Sequence, residues 1–143
     1  MDIPFAPFAP FEALTDRAPG HRDDAAASLG DLLRSRALDA DTARLIVGRL
    51  VGLAVNEPVT AVRESALNAI SDTSPHHALP FSLVEPLIPA MPTMGPELLL
   101  HTLDILGTTH DRSALPTIEA HLGHPDQEVR DGARLAVSEI NWA

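Results

Sequence analysis

Two stretches of the chain, 67 residues apart, carry one pattern. Pro58-x-x-x-Val62-Arg63-Glu64-x-Ala66-x-x-Ala69-Ile70-Ser71 matches Pro125-x-x-x-Val129-Arg130-Asp131-x-Ala133-x-x-Ala136-Val137-Ser138. A degenerate third copy, Leu98-x-x-x-Thr102-x-x-Ile105-Leu106-Gly107, lies between them and splits the distance into steps of 36 and 31. Apolar and small residues at these spacings fall on one face of a helix. A step of this length holds two helices. One helical pair cannot bury its apolar stripe alone, so neighbouring pairs must stack. No segment alternates apolar and polar residues over strand length, so the chain reads as all-α.

The pass along the chain fills in the remaining helices. Asp23 or Asp24 can cap a helix over Ala25 to Arg36, with Leu29, Leu32 and Leu33 on one face. Asp39 or Asp41 can cap a helix over Thr42 to Val55. Its apolar residues lie around most of its circumference, which implies burial on several sides. Helices over Val59 to Asp72, Gly95-Pro96 to Thr109, Arg112 to Leu122 and Asp126 to Asn141 follow, with a proline-interrupted one over Ser82 to Ala90. Residues 1 to 22 differ. The run Pro4-Phe5-Ala6-Pro7-Phe8-Ala9-Pro10-Phe11 favours extended backbone. It reads as an arm folded over one end of the core, as an aromatic arm for a partner, or as a disordered segment. A short helical turn at Phe11 to Asp16 and a loop over Arg17 to Arg22 complete this part. The division is thus an arm, 1–22, and a helical repeat domain, 23–143.

With Pro58, Val62, Arg63, Ala66 and Ile70, then Pro125, Asp126, Val129, Arg130, Ala133, Ala136 and Val137, the chain resembles the HEAT-repeat family in a short bacterial form. The resemblance covers roughly residues 41 to 141. It implies a right-handed α-solenoid of about three helical pairs plus an N-terminal capping helix. It also implies that the arginine after the valine pairs with an acidic residue of a neighbouring unit. The middle copy departs from this, with Leu98-Leu99 in place of Val-Arg. The family includes DNA glycosylases and bilin lyases, but the fold hosts many roles and does not itself name one.

Composition narrows those roles. Twenty acidic residues against ten basic ones leave a net charge of -10, which opposes phosphate binding and so a nucleic-acid partner. All ten cations are arginine, a usage that fits a GC-rich bacterial genome. The absence of cysteine excludes disulfides, thiolate metal sites and cysteine nucleophiles. No apolar run is long enough to span a bilayer, and the start carries no secretory signal, so a cytoplasmic, monomeric protein without a membrane partner is expected. No phosphate loop, nucleophile elbow or His-Glu-x-x-His helix is present. Six of the seven histidines fall after residue 75. His121 and His124, with Asp126 nearby, have metal-ligand types, but Gly123 and Pro125 break the helix around them, so they read as solvated loop residues. His76-His77 reads the same way, and His110-Asp111 as a helix end beside a turn. No metal, cofactor or catalytic residue is assigned.

The carboxylates carry the functional reading. Counting from Val62, Leu98 and Val129 as zero, positions +2, +6, +9 and +10 point away from the stripe. Glu64, Asp104 and Asp131 form a candidate acidic row, with Asn68, Asp72 and Glu139 beside it and Trp142 as an aromatic anchor. The expected function is non-catalytic binding of a basic protein partner, guided by charge. Its concrete form is an immunity or antitoxin-type inhibitor of a cationic toxin. The alternatives are a scaffold or regulatory subunit of a larger enzyme, and a metal-dependent enzyme built on the histidines.

Overall fold

A computed structural model describes the backbone of residues 8–142 and the side chains of 10–142. The Phe-Ala-Pro run before Phe8 lies outside the described residues. Every regular element among the described residues is helical. The chain divides into two compact units, Met1–His77 and Ala78–Ala143.

The first unit holds α1 (Phe8–Ala13), α2 (Pro19–Leu33), α3 (Ala40–Asn56) and α4 (Thr60–Ser71). Helix α2 begins six residues before the expected start. Pro19 occupies its first turn, where a missing N–H costs nothing. The Asp16 carboxylate accepts from the Ala18 N–H at 2.9 Å and fixes the entry. Asp23 and Asp24 therefore lie inside the helix, and so does position 22. Asp39 caps α3, accepting from the Thr42 N–H at 3.3 Å. The expected all-round burial of α3 does not occur. Ala43, Ile46, Val47, Leu50, Val51 and Ala54 form one buried stripe, while Leu45 is 53% exposed. Helix α4 buries Val62, Ala66, Ala69 and Ile70 as the stripe requires, and adds Leu67.

The second unit holds α5 (Phe81–Val84), a 3-10 segment over Glu85–Thr93, α6 (Pro96–Thr108), a 3-10 turn over Arg112–Ala114, α7 (Leu115–Glu119) and α8 (Gln127–Trp142). The prolines explain the long 3-10 segment. Pro86, Pro89 and Pro92 recur every third residue and lack N–H donors. With three residues per turn, all three line the exposed edge, and Leu87, Ala90 and Met91 stay buried. The helix expected over Arg112 to Leu122 is shorter, since Asp111 caps a 3-10 turn before Pro116 opens α7. Helices α6 and α8 match their expected bounds within two residues and bury Leu98, Thr102, Ile105, Leu106, Val129, Ala133, Ala136 and Ile140. No helix among the described residues is long and apolar enough to cross a membrane.

Helix α2 packs on α4, and α6 packs on α8. Both crossings use a glycine on an alanine. A Cβ added at Gly30 would lie 3.1 Å from the Cβ of Ala69, and one at Gly107 would lie 3.1 Å from both the Cα and the Cβ of Ala136. The small residues let the two backbones approach, which a larger side chain would prevent. Gly30 and Gly107 occupy the same repeat position if His21-Arg22 aligns with Leu98-Leu99 and Val129-Arg130. Hydrogen bonds support that alignment. One guanidinium NH of Arg22 donates to the carbonyls of Asp16 and Arg17, at 2.9 and 3.0 Å. Arg130 does the same to His124 and Pro125, at 2.7 and 2.9 Å. In each case the acceptors stand six and five residues earlier. Helix α2 is thus a fourth copy of the repeat.

Candidate functional site

The two grooves beside these glycine–alanine crossings hold most of the candidate residues. The α2/α4 groove is small, about 130 Å³, and is lined by Ala27, Gly30, Asp31, Arg34, Ser65, Asn68, Ala69 and Asp72. Arg34 fills its mouth. Its guanidinium donates to Asp72 at 2.6 Å and also to Asp31. The Ser65 hydroxyl donates to Asp23. Asp72 is therefore neutralised within the unit. Asn68 lines the same groove, and Glu64 is exposed on α4 outside its lining.

The α6/α8 groove is an open depression of about 710 Å³, lined by Asp104, Leu135, Val137, Ser138, Glu139, Asn141 and Trp142. It brings together three of the sequence-derived residues: Asp104, Glu139 and Trp142. Asp104 is exposed and makes no hydrogen bond or ion pair with the described residues. The Glu139 carboxylate lies 3.6 Å from Nε2 of His110, whose Nδ1 donates to the Glu139 carbonyl at 3.2 Å. His110 holds this position with a φ of 53°, in the left-handed region that non-glycine residues seldom adopt. The Arg112 guanidinium donates to the Asn141 side chain at 3.2 Å at the same edge. Trp142 is 88% exposed and Leu135 72% exposed. The set Asp131, Leu135, Ser138 and Trp142 recurs at helical spacing along one face of α8. Asp131 is paired with Arg134 on its own helix and does not line the depression. Leu135 stands at position +6 from Val129 and was not among the residues expected to bind. Its signal was a large apolar residue at a position that otherwise carries Asn68 and Asp104.

The histidine pair lies elsewhere in the second unit. His121 and His124 stack with centroids 6.2 Å apart and planes 21° apart. They line a depression of about 410 Å³ with Ile88, Met91, Pro92, Met94, Leu99, Thr117 and Ala120. Both are half-buried rather than fully solvated. His121 Nδ1 donates to the Thr117 carbonyl at 2.9 Å, so its Nε2 keeps a lone pair. His124 Nδ1 accepts from the Asp126 N–H at 3.0 Å, so its neutral ring carries the proton on Nε2. The two rings thus present one acceptor and one donor, not two metal-ligating lone pairs. No group of three or more His, Asp or Glu side chains that would hold a metal forms among the described residues.

The most buried ion pair is structural. Arg22 holds Glu57 through two bonds, Nε at 2.7 Å and a terminal NH at 2.9 Å. The Glu57 side chain is only 2% exposed and also accepts from the Val59 N–H at 2.9 Å. Arg22 holds the Glu57 carboxyl below its ordinary pKa, with the Val59 N–H adding to the effect against burial, and Glu57 raises that of Arg22. This pair joins Arg22 of α2 to Glu57, the acidic residue just before Pro58. The two arginines that follow the repeat valine bond backbone carbonyls. Arg63 donates to the Ala54 carbonyl at 2.9 Å, and Arg130 to its two carbonyls.

Comparison with known proteins agrees on the fold. A designed armadillo repeat protein in complex with the peptide (KR)4 matches 92% of this chain at a TM-score of 0.69 and 15% identity, over 63% of its own length. An engineered protein matches 94% at a TM-score of 0.65 and 16% identity, over 62% of its length. The complex of CpcE and CpcF of phycocyanin lyase from Nostoc sp. PCC7120 matches 96% at a TM-score of 0.53 and 19% identity, over 65% of that chain. This chain spans just under two thirds of each. No family model and no curated protein matches it. The likeness shows an all-α helical repeat fold of the α-solenoid class.

Proposed function

We propose that the chain is a non-catalytic, HEAT-like binding module for a basic protein segment, acting in the cytoplasm. The observation that carries this reading is the α6/α8 groove, where unpaired Asp104, Glu139 and a bare tryptophan share one depression. A net charge of -10 adds long-range steering of a cationic partner. The solved designed repeat protein with (KR)4 supports the choice of a basic segment, since a similar fold there holds alternating lysine and arginine. In its concrete form the partner is a cationic toxin, and the chain acts as an immunity protein. Asp131 extends the binding surface along α8, and Glu64, Asn68 and Asp72 offer partner contacts on the first unit. The surface ion pairs of Asp72 with Arg34 and of Asp131 with Arg134 are weak enough to yield to a partner's charges.

A labelled (KR)4 peptide tests the reading. Binding at low salt that weakens steeply as salt rises supports it. Charge reversal at Glu64, Asp104 and Asp131 together should abolish binding while the helical circular dichroism stays unchanged. Salt-indifferent binding, or none, refutes it. A second reading, a scaffold within a larger enzyme, is favoured by the likeness to a phycocyanin lyase complex of two different chains. The partner's own activity separates the two: an immunity protein abolishes it and a scaffold leaves it intact.

A further inference from the structure

The two grooves occupy equivalent positions in the repeat and differ in whether a guanidinium covers their carboxylate. Both have a glycine–alanine crossing at their base, Gly30 on Ala69 and Gly107 on Ala136. Both carry a carboxylate three residues beyond that alanine, Asp72 and Glu139. Each carboxylate oxygen would stand 3.4 Å from a Cβ added at the glycine. In the first groove the chain's own Arg34, four residues after the glycine, covers the carboxylate and leaves about 130 Å³. Four residues after Gly107 stands Asp111. Its carboxylate is committed to capping the next turn, accepting from the Ser113 N–H at 2.8 Å. The second groove therefore has the carboxylates without the guanidinium, and it opens to about 710 Å³. Asp104 supplies a second acceptor where the first groove has Ala27. Leu135 and Trp142 leave an apolar wall bare.

We infer that the α6/α8 groove is the seat of an arginine side chain from the partner, which takes the role that Arg34 plays in the first groove. This deepens the basic-partner reading and rests on it. The guanidinium bridges Asp104 and Glu139, and the aliphatic stem lies along Leu135 and Trp142. A planar guanidinium suits this site better than an ammonium. It forks between carboxylates and stacks on an indole, whereas lysine brings a compact, strongly hydrated point charge. The groove thus selects arginine among basic residues.

Trp142 is the chain's single tryptophan, so its emission reports this groove alone. The probes are octa-arginine and octa-lysine, which carry equal charge, titrated into the intact chain at fixed salt. The expected result is a change in Trp142 emission with octa-arginine, and binding at least tenfold tighter than octa-lysine. Asp104→Asn should remove most of that preference, with helical circular dichroism unchanged. Equal binding of the two peptides, or tight octa-arginine binding that leaves Trp142 emission unchanged, overturns the assignment of the groove and leaves the basic-partner reading standing. Binding of neither peptide overturns both.

Discussion

The glycine at the α6/α8 crossing makes a prediction whose sign depends on the structure. Alanine in a helix interior is favoured over glycine by about 1 kcal/mol. At Gly52, in the interior of α3, an added Cβ meets nothing within 4 Å. Gly52→Ala should therefore stabilise the protein by about 1 kcal/mol. At Gly107 the same Cβ would come within 3.1 Å of the Ala136 Cα, a backbone atom inside α8. It cannot rotate aside, so α8 must shift against α6. Overpacking of this kind costs about 1 to 3 kcal/mol. Taking about 2 and setting it against the propensity gain leaves Gly107→Ala less stable than the parent by about 1 kcal/mol. The two variants should differ by about 2 kcal/mol. Urea denaturation followed by circular dichroism measures this directly, provided the slope is unchanged. Adding Ala136→Gly to Gly107→Ala should show a favourable coupling, because it reopens the clearance. If Gly107→Ala proves as stable as Gly52→Ala, the crossing is not held by close backbone approach, and the shared geometry of the two grooves loses its basis.

Other expectations follow from burial and charge. Leu103 is fully buried, and Leu103→Ala should cost about 2 to 5 kcal/mol by urea denaturation. Leu135→Ser, at a site 72% exposed, should change stability by less than about 0.5 kcal/mol and still weaken octa-arginine binding. Glu57 has a folded pKa below its ordinary value of 4.5, so its contribution is full above that pH and is lost as pH falls through the lowered value. Glu57→Gln should be less stable than the parent at neutral pH and show a shallower loss below about pH 4.5, read as thermal midpoints against pH. A parallel decline in both proteins would show that other carboxylates control the acid limb.

Much of the fold is legible in the sequence because helical periodicity records burial directly. Helices α4, α6 and α8 sit within two residues of their expected bounds, and their stripes are buried apart from half-buried Val137. The failures have local causes. The first six residues of α2 were hidden because Arg17 to Arg22 reads as a loop, although proline suits a first helical turn. That misreading also concealed Arg22 as a repeat arginine, and with it the fourth copy. The all-round apolar α3 suggested burial that the fold does not provide, because one stripe of its circumference meets α4 and Leu45 faces solvent.

The site is legible in a different way. Position on the repeat selected Asp104 and Glu139, which share one groove with Trp142, picked out as an aromatic anchor. It could not separate them from Asp72, because Asp72 occupies the same repeat position as Glu139 and differs only in what covers it. That difference comes from Arg34, on another helix and 38 residues away in the chain. Periodicity shows which way a residue points and carries no information about which cation reaches it. The same logic explains why charge counting alone misleads here: a carboxylate with an internal guanidinium and one without contribute equally to a net charge of -10. Only a carboxylate without an internal cation, such as exposed Asp104 in the α6/α8 groove, is left open to a partner's charge.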